Sequence, residues 1–184
     1  EVDPQIVRSY VAATCGHFAK QGFKKIALFS AHGGASHVRA LTEEAIHLDK
    51  HLRPCQVKFA NAKGIPNWLP PRLNDEFVDF QKKRGPALSG QEREALKTDS
   101  HAGLVETALL LALRPEWVRP NYRELEPAFL ADQSKVDGMT GATVGKGLGH
   151  IGSPHLARKE IGQGLWEFFF QRFMPEMMDW LSLS

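Results

Sequence analysis

The sequence predicts an α/β sandwich, and three features predict it. Residues 23–30 form a short run with an apolar centre at Ile26, Ala27, Leu28 and Phe29, between two stretches of helical spacing; this reads as a buried parallel strand. Residues 55–60 alternate through Val57 and Phe59 and read as a second strand. Between the first strand and the next helix lies Ala31-His32-Gly33-Gly34, a glycine turn at a strand's carboxyl end, where α/β sheets usually present their chemistry.

The first helix starts almost at residue 1. Asp3 can cap it and Pro4 suits its first position; Ile6, Val7, Tyr10, Val11 and Phe18 recur at helical spacing, with Thr14 on the same stripe, before Gly22 ends it. After the glycine turn, Val38, Leu41, Ala45, Ile46 and Leu48 place a second helix from Ala35 to about His51, stopped by Pro54. A loop with Pro66, Pro70 and Pro71 carries Trp68, which is an anchor on the domain, a lid over a pocket or a subunit contact. Residues 73–84 and 91–97 read as exposed, charged helical pieces separated by Gly85 and Pro86, and residues 103–113 as a strongly apolar helix ended by Arg114 and Pro115. Residues 131–152 are glycine-rich. From Ser153 and Pro154 to about Leu181 the pattern is one or two amphipathic helices, with Pro175 a kink or break.

A chain of 184 residues suits a single domain that buries its core without disulfides. With 23 Lys and Arg against 21 Asp and Glu and no basic block, nucleic acid is not an expected partner. No window is apolar enough to span a membrane, and no signal peptide is visible, so the expectation is a soluble, cytoplasmic protein. Cys15 and Cys55 match no metal or redox spacing and read as free buried thiols of a reducing compartment. Eight histidines are about twice an average share.

Two histidines stand out. Gly33 and Gly34 let the backbone turn sharply after His32 and leave its ring uncovered, as a metal ligand or acid/base requires; the alternative is an incidental histidine in a tight turn. His37, one turn into the next helix, reads as a surface residue. His101 stands at the start of the apolar helix, as a catalytic group or a helix-terminal contact. Glu106 lies inside that helix beside Val105 and ahead of Ala108 and three leucines. A carboxylate buried there needs a metal, a cationic group or a salt bridge to a neighbouring element. Asp99 can cap the same helix. Residues 147–152 fit GxGxxG without the strand that a dinucleotide site needs, and residues 141–147 fall one spacer and one hydroxyl short of a phosphate loop. Trp166, Phe169, Phe170 and Phe173 form a stripe expected in the core or an oligomer interface, and Trp117 and Trp180 are expected to be buried in the same way.

Taken in order, Gly22-Phe23-Lys24-Lys25-Ile26 leading to His32-Gly33-Gly34, His101-Ala102-Gly103 followed by Glu106-Thr107 and a leucine-rich helix, Arg114-Pro115-Glu116-Trp117-Val118, and Gly152-Ser153-Pro154 resemble the creatininase family of metal-dependent amidohydrolases. The resemblance implies a three-layer α/β/α sandwich with a mainly parallel sheet, and a centre of two divalent metal ions, zinc, manganese or iron. It implies hydrolysis of a C–N bond, amide or cyclic amide, outside ordinary peptides in a small-molecule substrate. By position, His32 and Glu106 are similar to metal ligands, though Glu106 could instead support the ligands. His101 is similar to the histidine that orients or protonates the reacting group, and Gly33, Gly34 and Trp68 would face substrate. A homo-oligomer, a hexamer, is implied as well.

The departures are specific. Ser30 and Ala35 stand where the family usually has asparagines, Gly34 stands where creatininase itself has a metal-binding glutamate, and Ala108 replaces a serine. The family's Glu-x-His-Gly-x-His-Leu-Pro type segment, which supplies further metal ligands, is not among the 184 residues, so the expectation is one creatininase-like domain without its N-terminal part. The competing expectation is a non-catalytic relative that serves as an oligomerising module.

Overall fold

Asp3 opens helix α1 (Pro4–Lys20) as its sequence suggests: the carboxylate accepts the N–H of Gln5 at 2.8 Å, and Pro4 takes the first turn. The computed structural model describes residues 2–30, 32, 34–60, 71–129 and 147–182. Gly22, at a φ of 93°, turns the chain out of α1 into strand β1 (Lys25–Leu28). Helix α2 (Ala35–His51) and strand β2 (Gln56–Phe59) follow, and β2 pairs parallel with β1, Lys25 opposite Gln56 and Leu28 opposite Phe59. This helix, strand, turn, helix, strand order is the expected one. The helix fills the crossover that a parallel pair requires.

Two compact units divide the chain, Glu1–Pro66 with Met174–Ser184, and Asn67–Phe173. In the first, α1 and α2 pack together and α2 packs on β2, burying Cys15, Leu41, Ala45, Leu48, Val57 and Phe59. Both cysteines are free and buried. Only one side of α1 enters this core, through Val7, Val11 and Cys15; Ile6 and Tyr10 remain exposed. Strand β1 is half-buried rather than buried, because the described sheet has two strands and covers β1 on one edge. The structure is thus a mixed α/β fold with a small parallel sheet.

The second unit holds helices α3 (Pro71–Arg84), α4 (Gly90–Thr98) and α5 (Leu104–Leu113), short 3-10 turns at Pro115–Trp117, Pro120–Glu124 and Pro154–Leu156, and the start of α6 (Lys159–Leu181). Its core joins Phe77, Leu96, Leu104, Val105, Ala108, Ile161, Leu165 and Phe168. Here the structure corrects one expectation. Helices α3 and α4 are not simply exposed: Phe77 and Gln81, one turn apart, are buried, and so are Glu92, Ala95 and Leu96. Charges on their outer faces mask these inward positions in the sequence. The buried row on α6 is Ile161, Leu165 and Phe168, while Phe170 is exposed. Trp166 is 42% exposed and its indole N–H donates to the Leu109 carbonyl; Trp117, 69% exposed, lies beside the Arg114 guanidinium. Helix α6 continues through Pro175.

Glu92 shows how this unit stays ordered around a buried charge. It closes a capping box with Ser89 and accepts Arg158 Nε at 2.5 Å and Nη2 at 3.2 Å. Burial alone would raise its acid, but the hydrogen bonds from Arg158 and Ser89 and the Arg158 charge outweigh it and hold the carboxyl below the usual range. Gly162 lets α6 approach α5, since a Cβ there would run into the Ala108 carbonyl and lie 2.9 Å from the Ala112 Cβ.

Candidate active site

His101 is placed by a local crossing of three chain segments. Residue 101 forms an antiparallel bridge with Ile151, with N–H to carbonyl distances of 3.0 and 2.6 Å, and Gly152 bridges Ala128 in the same way. Ile151, in the glycine-rich stretch, is therefore the backbone partner of the His101 segment, and Gly147, Gly149 and Gly152 around it take positive φ. The phosphate-loop resemblance at residues 141–146 lies outside the described residues.

At the centre of the crossing is Asp99. Its two carboxylate oxygens accept the N–H groups of Leu104 at 2.6 Å and Val105 at 2.9 Å, the first two positions of α5, and the Ser153 N–H adds a third bond. It thus caps α5 as its sequence position suggests, and also ties in a segment some fifty residues away, which no local pattern announces. A Cβ on Gly103 or on Gly152 would strike the Asp99 carboxylate, and each would lie 3.1 Å from the other's Cα. Glycine is required at both positions for this approach. Burial pushes the Asp99 acid up to about 6 from 3.8, although the N–H groups of Val105, Leu104 and Ser153 oppose the rise.

The cap delivers Glu106, at the third position of α5, back toward His101. Glu106 Oε2 accepts the backbone N–H of Ala102 and lies 4.0 Å from His101 Nδ1. Ala102 sits at a φ of 48°, a left-handed conformation that costs a non-glycine residue about 1–3 kcal/mol. The Glu106 carboxylate holds that residue in place, and the His101 side chain, 59% exposed, projects beside it. Glu106 is half-buried, less enclosed than its apolar neighbours suggest, since it lies at the helix start rather than within its packed face.

His32 follows β1 in the first unit and is exposed. Ser30 Oγ accepts its backbone N–H at 3.1 Å. His37 is not a plain surface residue: it is half-buried, its Nε2 lies 2.9 Å from Ser30 Oγ, and its ring meets that of His32 at 5.0 Å between centroids. Gly34 precedes α2 without a side-chain cap. Gly33 and Trp68 lie outside the described residues.

Of the residues singled out in the sequence, the structure brings His101 and Glu106 together. Imidazole and carboxylate are suitable donors for divalent ions, but among the described residues no three His, Cys, Asp or Glu side chains converge. The described residues therefore do not by themselves make a closed metal site.

The described residues make a mixed α/β protein with a histidine–carboxylate pair at the start of α5. The family model described as Creatininase: Creatinine amidohydrolase matches residues 1–175, and the chain belongs to the creatininase family. It is thereby a relative of amidohydrolases. No curated protein and no solved structure matches it.

Proposed function

We propose that the chain is a metal-dependent amidohydrolase that cleaves an amide or cyclic amide C–N bond, outside ordinary peptides, in a small-molecule substrate. The observation that carries this reading is His101, exposed, next to the left-handed Ala102 and set 4.0 Å from the Glu106 carboxylate at the helix start. An imidazole in that position can pass a proton to a leaving nitrogen. Two divalent ions, zinc, manganese or iron, supply an activated water and a polarised carbonyl when bound. His32 and Glu106 are the residues of this chain that would hold them, with further ligands from the family segment that these residues do not contain. Substrate contact at Gly33, Gly34 and Trp68 is part of the same proposal and rests on the family resemblance alone.

The same reading includes the family's three-layer sandwich, a homo-oligomer and a cytoplasmic location. Leu113, Trp117 and Phe170, each more than half exposed, supply apolar surface for subunit contact. Two buried free thiols suit a reducing compartment, and among the described residues no helix is long and apolar enough to cross a membrane.

The test is metal analysis and hydrolysis of cyclic amides and formamides by protein expressed from its complete gene. Near-stoichiometric zinc, manganese or iron is expected, with His101→Ala lowering kcat by about 10²–10⁴ while metal content stays unchanged. A folded, metal-free oligomer without hydrolysis would replace the enzyme by a structural module. Sedimentation as a monomer would remove the oligomer.

A further inference from the structure

We propose that Ser30 and His37 are positioning residues that fix the His32 imidazole. Three contacts support this. Ser30 Oγ accepts the His32 backbone N–H at 3.1 Å, which sets the chain direction two residues beyond the serine. The same oxygen lies 2.9 Å from His37 Nε2. A hydroxyl has one proton and two lone pairs, so this one oxygen can accept from His32 and bond the His37 ring at the same time. The His37 ring in turn stands edge-on to His32, with 5.0 Å between centroids and 69° between planes. One serine and one histidine thus hold His32 at both its backbone and its ring.

His37 is suited to this task because α2 anchors it. Leu41, Ala45 and Leu48 bury the same helix in the core of the first unit, so His37 projects from a packed element into the turn that carries an exposed side chain. Without the pair, an exposed imidazole beside two glycines has several rotamers open to it. The inference deepens the proposed role of His32 as a metal ligand and rests on that reading for its functional consequence; the structural relation among the three residues does not.

The experiment uses protein expressed from its complete gene, with Ser30→Ala, Ser30→Thr, His37→Phe and His32→Ala. Nuclear magnetic resonance of the histidine ring nitrogens and of the His32 amide decides the matter on its own. Ser30→Ala and His37→Phe are expected to move and broaden the His32 amide and ring signals of the wild type. Ser30→Thr keeps the hydroxyl and is expected to restore them. His32 signals that stay in place in both Ser30→Ala and His37→Phe overturn the proposal. Zinc titration supplies the functional readout: loss of such a supporting partner is expected to weaken zinc binding by about tenfold, with rescue by Ser30→Thr and an unchanged urea midpoint. If His32→Ala leaves zinc uptake intact, the metal-ligand reading of His32 fails, while the resonance result still decides the positioning.

Discussion

Replacing Asp99 with asparagine tests whether the fold holds this carboxylate at a cost. Burial pushes its acid from 3.8 up to about 6; the N–H groups of Val105, Leu104 and Ser153 recover only part of that cost, and the Glu106 charge adds to it. Between about pH 4 and pH 6 the folded protein therefore keeps a proton that the unfolded chain has released. The sign follows directly. Stability is highest, as far as Asp99 is concerned, below about pH 4, and falls as pH rises through about 6. A gap of roughly two units, at about 1.4 kcal/mol each, makes the full effect up to about 3 kcal/mol.

Asparagine keeps one acceptor oxygen and cannot ionise, so the difference between variant and wild type isolates the Asp99 contribution from every other titrating group. Urea unfolding at pH 4, 5, 6 and 7, followed by tryptophan fluorescence, measures it; Trp117 and Trp166 lie in the same unit as Asp99. At pH 4 the variant is expected to be less stable by about 1 kcal/mol, because its amide turns an N–H₂ toward a backbone donor. From pH 4 to pH 7 it should gain on the wild type by about 2–3 kcal/mol. Parallel stability curves would refute the reasoning, because they would mean that the three N–H bonds compensate burial in full.

Three further outcomes follow from the packing. Gly162→Ala forces its methyl against the Ala108 carbonyl, and a loss of about 1–3 kcal/mol is expected in thermal unfolding; an unchanged midpoint would show that α6 moves off α5 without cost. Arg158→Ala leaves the buried Glu92 unpaired, and with Arg158 itself 30% exposed the expected loss is about 2 kcal/mol at pH 7. Because the Glu92 acid is held low in the fold, that contribution is present above its unfolded pKa of 4.5 and disappears as pH falls below it, so wild type and variant should converge in acid. Cys15 and Cys55 are raised in pKa chiefly by burial and should not react with iodoacetamide until urea unfolds the chain; labelling of either in the native protein would contradict its burial.

Much of the first unit could be read from local pattern. Asp3 and Pro4 mark the start of α1, Gly22 its end, and the spacing of Val38, Leu41, Ala45 and Leu48 gives α2 its full extent, since cap, period and core face all lie within one helix. His101 and Glu106 each stood out in the sequence, but their approach to 4.0 Å was not read from it. Interactions set by distant chain were not legible. Glu92 reads as one charge among many on α4 until Arg158 arrives from 66 residues away, and His37 reads as a surface residue until the turn folds Ser30 back onto it.

The glycine-rich stretch shows why motif spacing alone misleads. Its GxGxxG pattern records where side chains are absent, and two different demands produce that record. In a dinucleotide site the missing Cβ atoms admit a phosphate. Here Gly152 faces Gly103 across the Asp99 carboxylate, and the missing Cβ atoms admit another length of the same chain. The sequence contains both glycines and the aspartate, but only the bridge between His101 and Ile151 shows that they meet. That meeting gives Asp99 its burial, and it gives His101 its place beside Glu106: the carboxylate that caps α5 fixes the helix start from which Glu106 reaches back to Ala102. A substitution at Gly152 should therefore disturb His101 without touching it. Gly152→Ala is expected to destabilise the unit and to displace the His101 ring resonances, whereas Gly149→Ala, with open space around its Cβ and only backbone strain to bear, should cost stability and leave those resonances nearer their wild-type positions.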